Sequence, residues 1–168
     1  GWLTVQNVIS DYEVLHKILQ FSRFITHYED INSVMDLTLT NVRELICADA
    51  GTFYLVEGDS LRFAYVQNDT LFPCTNNSNR QLYTNSLIPI NDKSIAGYVA
   101  HTKSYLNIED VEELPPDLPF SFNRSYDKSS GYHTVSILCL PILGIGGRVF
   151  AVLQLINCKD SDGQIIAF

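Results

Sequence analysis

Residues 88–111 read I-P-I-N-D-K-S-I-A-G-Y-V-A-H-T-K-S-Y-L-N-I-E-D-V. Residues 126–142 read Y-D-K-S-S-G-Y-H-T-V-S-I-L-C-L-P-I, and residues 149–159 read V-F-A-V-L-Q-L-I-N-C-K. In the first block Ser94 is a helix cap, and a short helix runs from it to about His101 with Gly97 inside. Residues 105–108 form a small extended piece. The second and third blocks supply apolar strands over residues 135–143 and 148–157, around a Gly144-Ile145-Gly146-Gly147 turn. Pro141 has no N–H to give a ladder, so its strand is an edge there or carries a bulge. Residues 109–130 read as irregular, because Pro115, Pro116 and Pro119 break any helix. Ordered segments of this length without regular structure often serve as lids or binding loops.

Working outward, residues 51–57 (G-T-F-Y-L-V-E) and 60–67 (S-L-R-F-A-Y-V-Q) flank Gly58-Asp59 and read as a hairpin. Residues 68–85 are polar, rich in Asn and Thr, and read as a surface loop. Residues 86–90 are a short strand. Upstream, Val14, Leu15, Ile18, Leu19, Phe21, Phe24 and Ile25 recur at helical spacing within residues 5–27, giving an apolar face wide enough for both the core and a partner helix. A second helix starts near Asp30, with Asp30 and Asn32 as candidate caps and Ile31, Val34, Met35, Val42, Leu45 and Ile46 on one side. Helix, helix, hairpin, loop, strand, helix, loop, hairpin is the order of an α+β fold with an antiparallel sheet.

The chain has 168 residues, 46% of them hydrophobic and 18% charged, which fits one domain with a sizeable core. Its net charge of −8 disfavours nucleic acid, and no basic cluster offsets it. That charge also argues against a highly charged ligand such as a nucleoside triphosphate. No apolar run approaches the roughly 20 residues that span a bilayer. The start Gly-Trp-Leu, without Met or a signal region, suggests an excised fragment. Cys47, Cys74, Cys139 and Cys158 form no C-x-x-C and point to a reducing, cytoplasmic compartment.

Taken in this order, the three blocks resemble the GAF domain, a small-molecule-sensing module of signalling proteins. The likeness is strongest to the subset in cyclic-nucleotide phosphodiesterases, adenylyl cyclases and bacterial HD-type phosphohydrolases. Among these the bacterial subgroup is preferred, because its likeness extends over residues 94–157 and includes S-F-N-R-S-Y-D at residues 121–127. The resemblance implies an α+β GAF-like fold: a central antiparallel β-sheet, helices on one face, and a ligand pocket under a short helix and loop on the other. It implies one domain over residues 1–168, with a further C-terminal helix missing or truncated.

A helix N-terminus presents unpaired N–H groups and partial positive charge, which suits phosphate or carboxylate. In the cyclic-nucleotide class the cyclic phosphate lies at the start of the Ser94 helix, so Ile95 and Ala96 become backbone donors. The matching hydroxyls are Ser130 and Thr134, with Thr52 on the first hairpin strand and Gln154 on the last strand facing the base. The end of the second strand, near Gln67 and Asn68, approaches the base edge. Phe120, Phe122, Asn123 and Tyr126 lie on the lid-like loop, where they could stack on a purine; loop aromatics more often pin a loop to the core. Likewise, Ala96 and Gly97 could simply let the helix pack on the sheet. The family carries Asn-Lys, then Phe, then Asp-Glu, with a Lys–Asp salt bridge below the pocket. Here Cys158 stands at the Lys position between Asn157 and Lys159, and Lys159 is the candidate substitute. His133 stands where an Arg is common.

The four histidines, His16, His27, His101 and His133, lie on different elements without metal-ligand spacing. Cys139 sits mid-strand among apolar residues, where a thiolate is disfavoured. No catalytic residue and no metal are therefore expected, and the resemblance implies a regulatory small molecule: a cyclic nucleotide, cyclic AMP or cyclic GMP, or another small planar anion. Two functions follow. One is a sensor controlling an attached output domain such as an HD-type phosphohydrolase or a cyclase. The other is a dimerisation module with a degenerate pocket, a homodimer forming through the N-terminal helix.

Overall fold

A computed structural model describes residues 15–17, 31–73 and 86–168. Residues 15–17 are helical and Leu15 is buried; the rest of the expected first helix, its dimer face, Cys74 and residues 74–85 of the expected loop lie outside the described residues. Helix α1 spans Ile31–Leu45. Met35, Leu39 and Val42 recur at the spacing of one helix face and are buried. They pack on Phe53, Leu138, Leu140, Leu153 and Leu155 of the sheet. Leu45, expected on that face, is 49% exposed. The chain reverses at Cys47, in the left-handed conformation (φ 58), straight into the first strand, so the last turn of α1 stands at the end of the sheet. Gly51 permits the close approach: a Cβ there would meet Leu39 Cδ1 at 2.9 Å.

Strands β1 (Ala48–Glu57) and β2 (Ser60–Asn68) form the expected hairpin, turned through Gly58 at φ 61. Then follow β3 (Leu87–Pro89), α2 (Ile95–Thr102), β4 (Leu106–Ile108), α3 (Ser125–Ser130), β5 (Ile137–Leu143), β6 (Val149–Lys159) and β7 (Ile165–Ile166). The sheet order is β3-β2-β1-β6-β5-β4, with β7 on β6, and every ladder is antiparallel. Pro141 is tolerated because β4 pairs β5 only over Ile137–Cys139, which leaves β5 an edge at the proline. A register shift follows at Ile142/Leu143.

The other face of the sheet carries α2 and residues 109–130. Tyr54, Leu61, Ile137, Cys139 and Val152 meet Ile95, Val99, Val111 and Phe120 there. The proline-rich stretch is not wholly irregular: α3 begins after the last of its prolines, and a single 3-10 turn covers Val111–Glu113. Among the described residues, no helix is long and apolar enough to cross a membrane.

Candidate functional site

A cavity of about 690 Å³ opens between the sheet, the start of α2 and the loop leading into α3. Thr52 of β1 and Gln154 of β6, directly paired across the ladder, lie on its floor. Ser94 caps α2 by accepting from Gly97 N at 3.1 Å, and Ile95 and Ala96 follow it on the wall. Phe122, Asn123, Tyr126 and Asp127 close the lid side, and Thr134 completes the lining.

Of the residues singled out in the sequence, Ile95, Ala96, Thr52, Gln154, Asn123, Tyr126 and Thr134 meet around this one space. Ser130 does not. Its hydroxyl donates to Tyr126 O at 2.8 Å and accepts from Tyr132 N, so it is spent on closing α3. Phe120 is buried and packs against Tyr98, ring centroids 4.9 Å apart, whereas Phe122 lines the cavity. Gly97 serves packing: a Cβ there would meet Pro89 O at 2.5 Å and Ser94 Oγ at 2.7 Å. Gln67 borders the cavity, but its amide is bound on the opposite face, donating to Asp36 O and Oδ1 and Thr40 Oγ1 and accepting from Arg43 Nη1 at 2.8 Å. Ser94 also makes a parallel bridge to Ser121, with Ser121 N donating to Lys93 O at 3.1 Å.

Asp127 is the one charged group among the described lining residues. Its carboxylate accepts from Thr134 N at 2.8 Å and from Thr134 Oγ1 at 2.9 Å. The Thr134 hydroxyl proton is thereby used, and the oxygen faces the cavity as an acceptor. Asp127 is not among the residues singled out in the sequence, because the segment ending at Ser130 reads as irregular and its carboxylate meets Thr134 only in the fold.

Behind the site, Asn157 is buried at φ 58 and holds residues 132–136. Its Oδ1 accepts from Val135 N and Ser136 N, and its Nδ2 donates to Tyr132 Oη and His133 O. Tyr132 Oη donates to Asp49 Oδ2 at 2.7 Å. Burial, then the adjacent Asp49 carboxylate, push the Tyr132 phenol far up. Asp49 is paired with Lys159 at 2.5 Å. The cation next to Cys158 thus finds its acid on β1. No cluster of three or more His, Cys, Asp or Glu able to hold a metal occurs among the described residues.

The GAF domain family model matches residues 30–166, and the chain belongs to the GAF domain family. It is 29% identical over 161 residues to the probable 3',5'-cyclic phosphodiesterase pde-5 of Caenorhabditis elegans, covering 92% of this chain and 21% of that protein. It is 31% identical over 155 residues to the dual 3',5'-cyclic-AMP and -GMP phosphodiesterase 11A of Takifugu rubripes, covering 84% and 16%. The chain thus spans about a fifth or less of these relatives. Both are animal phosphodiesterases, so they lend no support to the preferred bacterial subgroup. Among solved structures, the Coxiella burnetii phosphoenolpyruvate-protein phosphotransferase GAF domain matches with TM-score 0.60, 15% identity, and coverage of 90% of this chain and 80% of that one. The A. Aeolicus nlh2 GAF domain matches with TM-score 0.58, 17% identity, and coverage of 92% and 81%. At these identities the structures speak for the fold.

Proposed function

We propose that this domain is a sensor that takes a cyclic nucleotide into the cavity and reports occupancy to an output domain elsewhere in a longer protein, such as a phosphodiesterase, HD-type phosphohydrolase or cyclase. The observation that carries the reading is the convergence of Ala96, Thr52, Gln154 and Thr134, each from a different element, on one cavity of about 690 Å³. That volume suits a small planar ligand. Ala96 N–H at the start of α2 supplies the donor for the phosphate, and Phe122 and Tyr126 supply faces for the base. The names of the relatives, phosphodiesterases of cyclic nucleotides, support the same ligand class. The domain does no chemistry of its own in this reading and works in the cytoplasm.

The alternative, a dimerisation module with a degenerate pocket, would be favoured by Phe120 or Phe122 filling the cavity. Phe120 is in the core instead, and Phe122 lies on the lining. Calorimetric titration with cyclic AMP and cyclic GMP tests the sensor reading. Micromolar binding of either is expected. Ala96→Trp should abolish it by filling the space, and Thr134→Val should weaken it about tenfold through the lost polar contact. Silence with both nucleotides on folded protein refutes the reading.

A further inference from the structure

We propose that Cys139 is a positioning residue for Gln154, and that together they make the cavity floor a hydrogen-bond donor that selects ligands with an acceptor on the facing edge. This rests on the cyclic-nucleotide reading above and concerns which base that site prefers.

Cys139, Gln154 and Thr52 lie in one row across β5, β6 and β1, each directly paired with the next. Cys139 is fully buried in the cavity-side cluster, and Gln154 is half-buried and lines the cavity. The Cys139 Sγ stands 3.9 Å from Gln154 Oε1, a long contact for a weak S–H donor. Burial pushes the thiol pKa far up, so the S–H proton is retained and can be donated. A carboxamide offers an acceptor on one side and two donors on the other. In a symmetric environment it could present either. The thiol breaks that symmetry: with Oε1 held by a donor, Nε2 is the group left for a ligand.

A base that places a carbonyl oxygen over Nε2 gains a hydrogen bond. One that places an amino group there sets donor against donor and leaves both unpaired. For a purine seated with its six-membered ring on the floor, the 6-oxo base of cyclic GMP fits and the 6-amino base of cyclic AMP does not.

The test is a set of calorimetric titrations of both nucleotides against the parent, Cys139→Ser, Cys139→Ala and Gln154→Leu, with thermal unfolding as the fold control. The parent should bind cyclic GMP about fivefold or more tightly than cyclic AMP, the worth of one hydrogen bond. Cys139→Ser, which keeps a donor, should retain that ratio. Cys139→Ala should bring the two affinities to within about twofold by freeing the carboxamide to turn, and Gln154→Leu should abolish the preference. A merely structural Cys139 would instead lower thermal stability and weaken both nucleotides equally, leaving the ratio intact. That result overturns the proposal while the sensor reading stands, as does a parent with no preference or a preference for cyclic AMP. Failure of the folded parent to bind either nucleotide overturns both.

Discussion

Asp49 enters β1 within an otherwise apolar run and is 4% exposed. A carboxylate taken so far out of water is costly unless it is matched. Here the Lys159 ammonium, the Tyr132 hydroxyl and the Thr70 hydroxyl at 2.8 Å match it. Burial alone would raise its pKa. The three hydrogen bonds and the Lys159 charge outweigh burial and hold it below the usual carboxylate range. Because the folded value lies below the unfolded one, about 3.9, this stabilisation is complete above roughly pH 4 and is lost as pH falls through the folded value. Lys159→Met should cost about 1–2 kcal/mol at pH 7, less than the removal of a fully buried partner because Lys159 is partly exposed. It should also raise the Asp49 pKa, so that acid destabilisation sets in at a higher pH. Urea unfolding at several pH values between 7 and 3 checks both. A variant whose acid limb coincides with the parent's would deny the pair this role. Asp49 lies just before the strand expected over residues 51–57 and carries no signal of its own, and its partner stands 110 positions away. The positions of Thr52, Ala96 and Gln154 came from the resemblance to the GAF family, not from periodicity; in the structure all three line the cavity. The commitment of Thr134 to Asp127, and of Ser130 to Tyr126 O, was not legible, because hydroxyl partners depend on neighbours brought in by the whole fold.

Among the elements, α2 is placed by its N-terminal residues. Ser94 caps it, and Gly97 lets its first turn lie against the backbone of residues 89–91, where a Cβ would stand 2.5 Å from Pro89 O and 3.1 Å from Asn91 O. Neither oxygen belongs to a side chain that could swing aside, so the helix start or the preceding turn must shift. Gly97→Ala is therefore expected to destabilise by about 1–3 kcal/mol despite alanine's better helix propensity. It should also weaken nucleotide binding by displacing the Ala96 N–H. Denaturant unfolding and titration of the same sample check this, and unchanged stability would mean that the close approach costs nothing to relieve. This helix and the β1–β2 and β5–β6 hairpins were legible from caps, turns and alternation. Helix α3 was not, because S-Y-D-K-S-S has no fully buried residue and so no apolar stripe to betray its period. Nor was the face of Gln67. The register shift at Phe53/Tyr54 pairs Phe53 with Tyr65 and Tyr54 with Phe63, which inverts the alternation of β2 beyond Ala64. Gln67 thereby joins Tyr65 on the α1 side and binds that helix instead of a ligand.

Across the whole molecule the sheet divides two kinds of work. One face holds the α1 cluster around Leu39, Leu153 and Leu155; the other holds α2, the lid and the cavity. The two faces hold separate side-chain clusters, so stability and binding should be separable by face. Leu39 is fully buried and does not line the cavity. Leu39→Ala should cost about 3 kcal/mol through lost contact and the void left behind, lowering the unfolding midpoint by roughly 6–12 °C for a domain of this size. Its nucleotide affinity should stay within about twofold of the parent's, because Leu39 packs on the α1 face and is not itself a cavity-lining residue. Gln154→Leu is the mirror case: its midpoint should move by about 2 °C or less while affinity for the preferred nucleotide falls about fivefold. Ligand at a hundred times its dissociation constant adds ~2.7 kcal/mol to whatever stability the protein has. The upward shift on saturation should therefore be nearly the same in Leu39→Ala as in the parent, starting from a lower base. Thermal scans with and without nucleotide, beside calorimetry, give all four quantities. If Leu39→Ala loses affinity in proportion to stability, the α1 face is part of the binding equilibrium, and the Gln67 bonds to α1 are the first connection to cut.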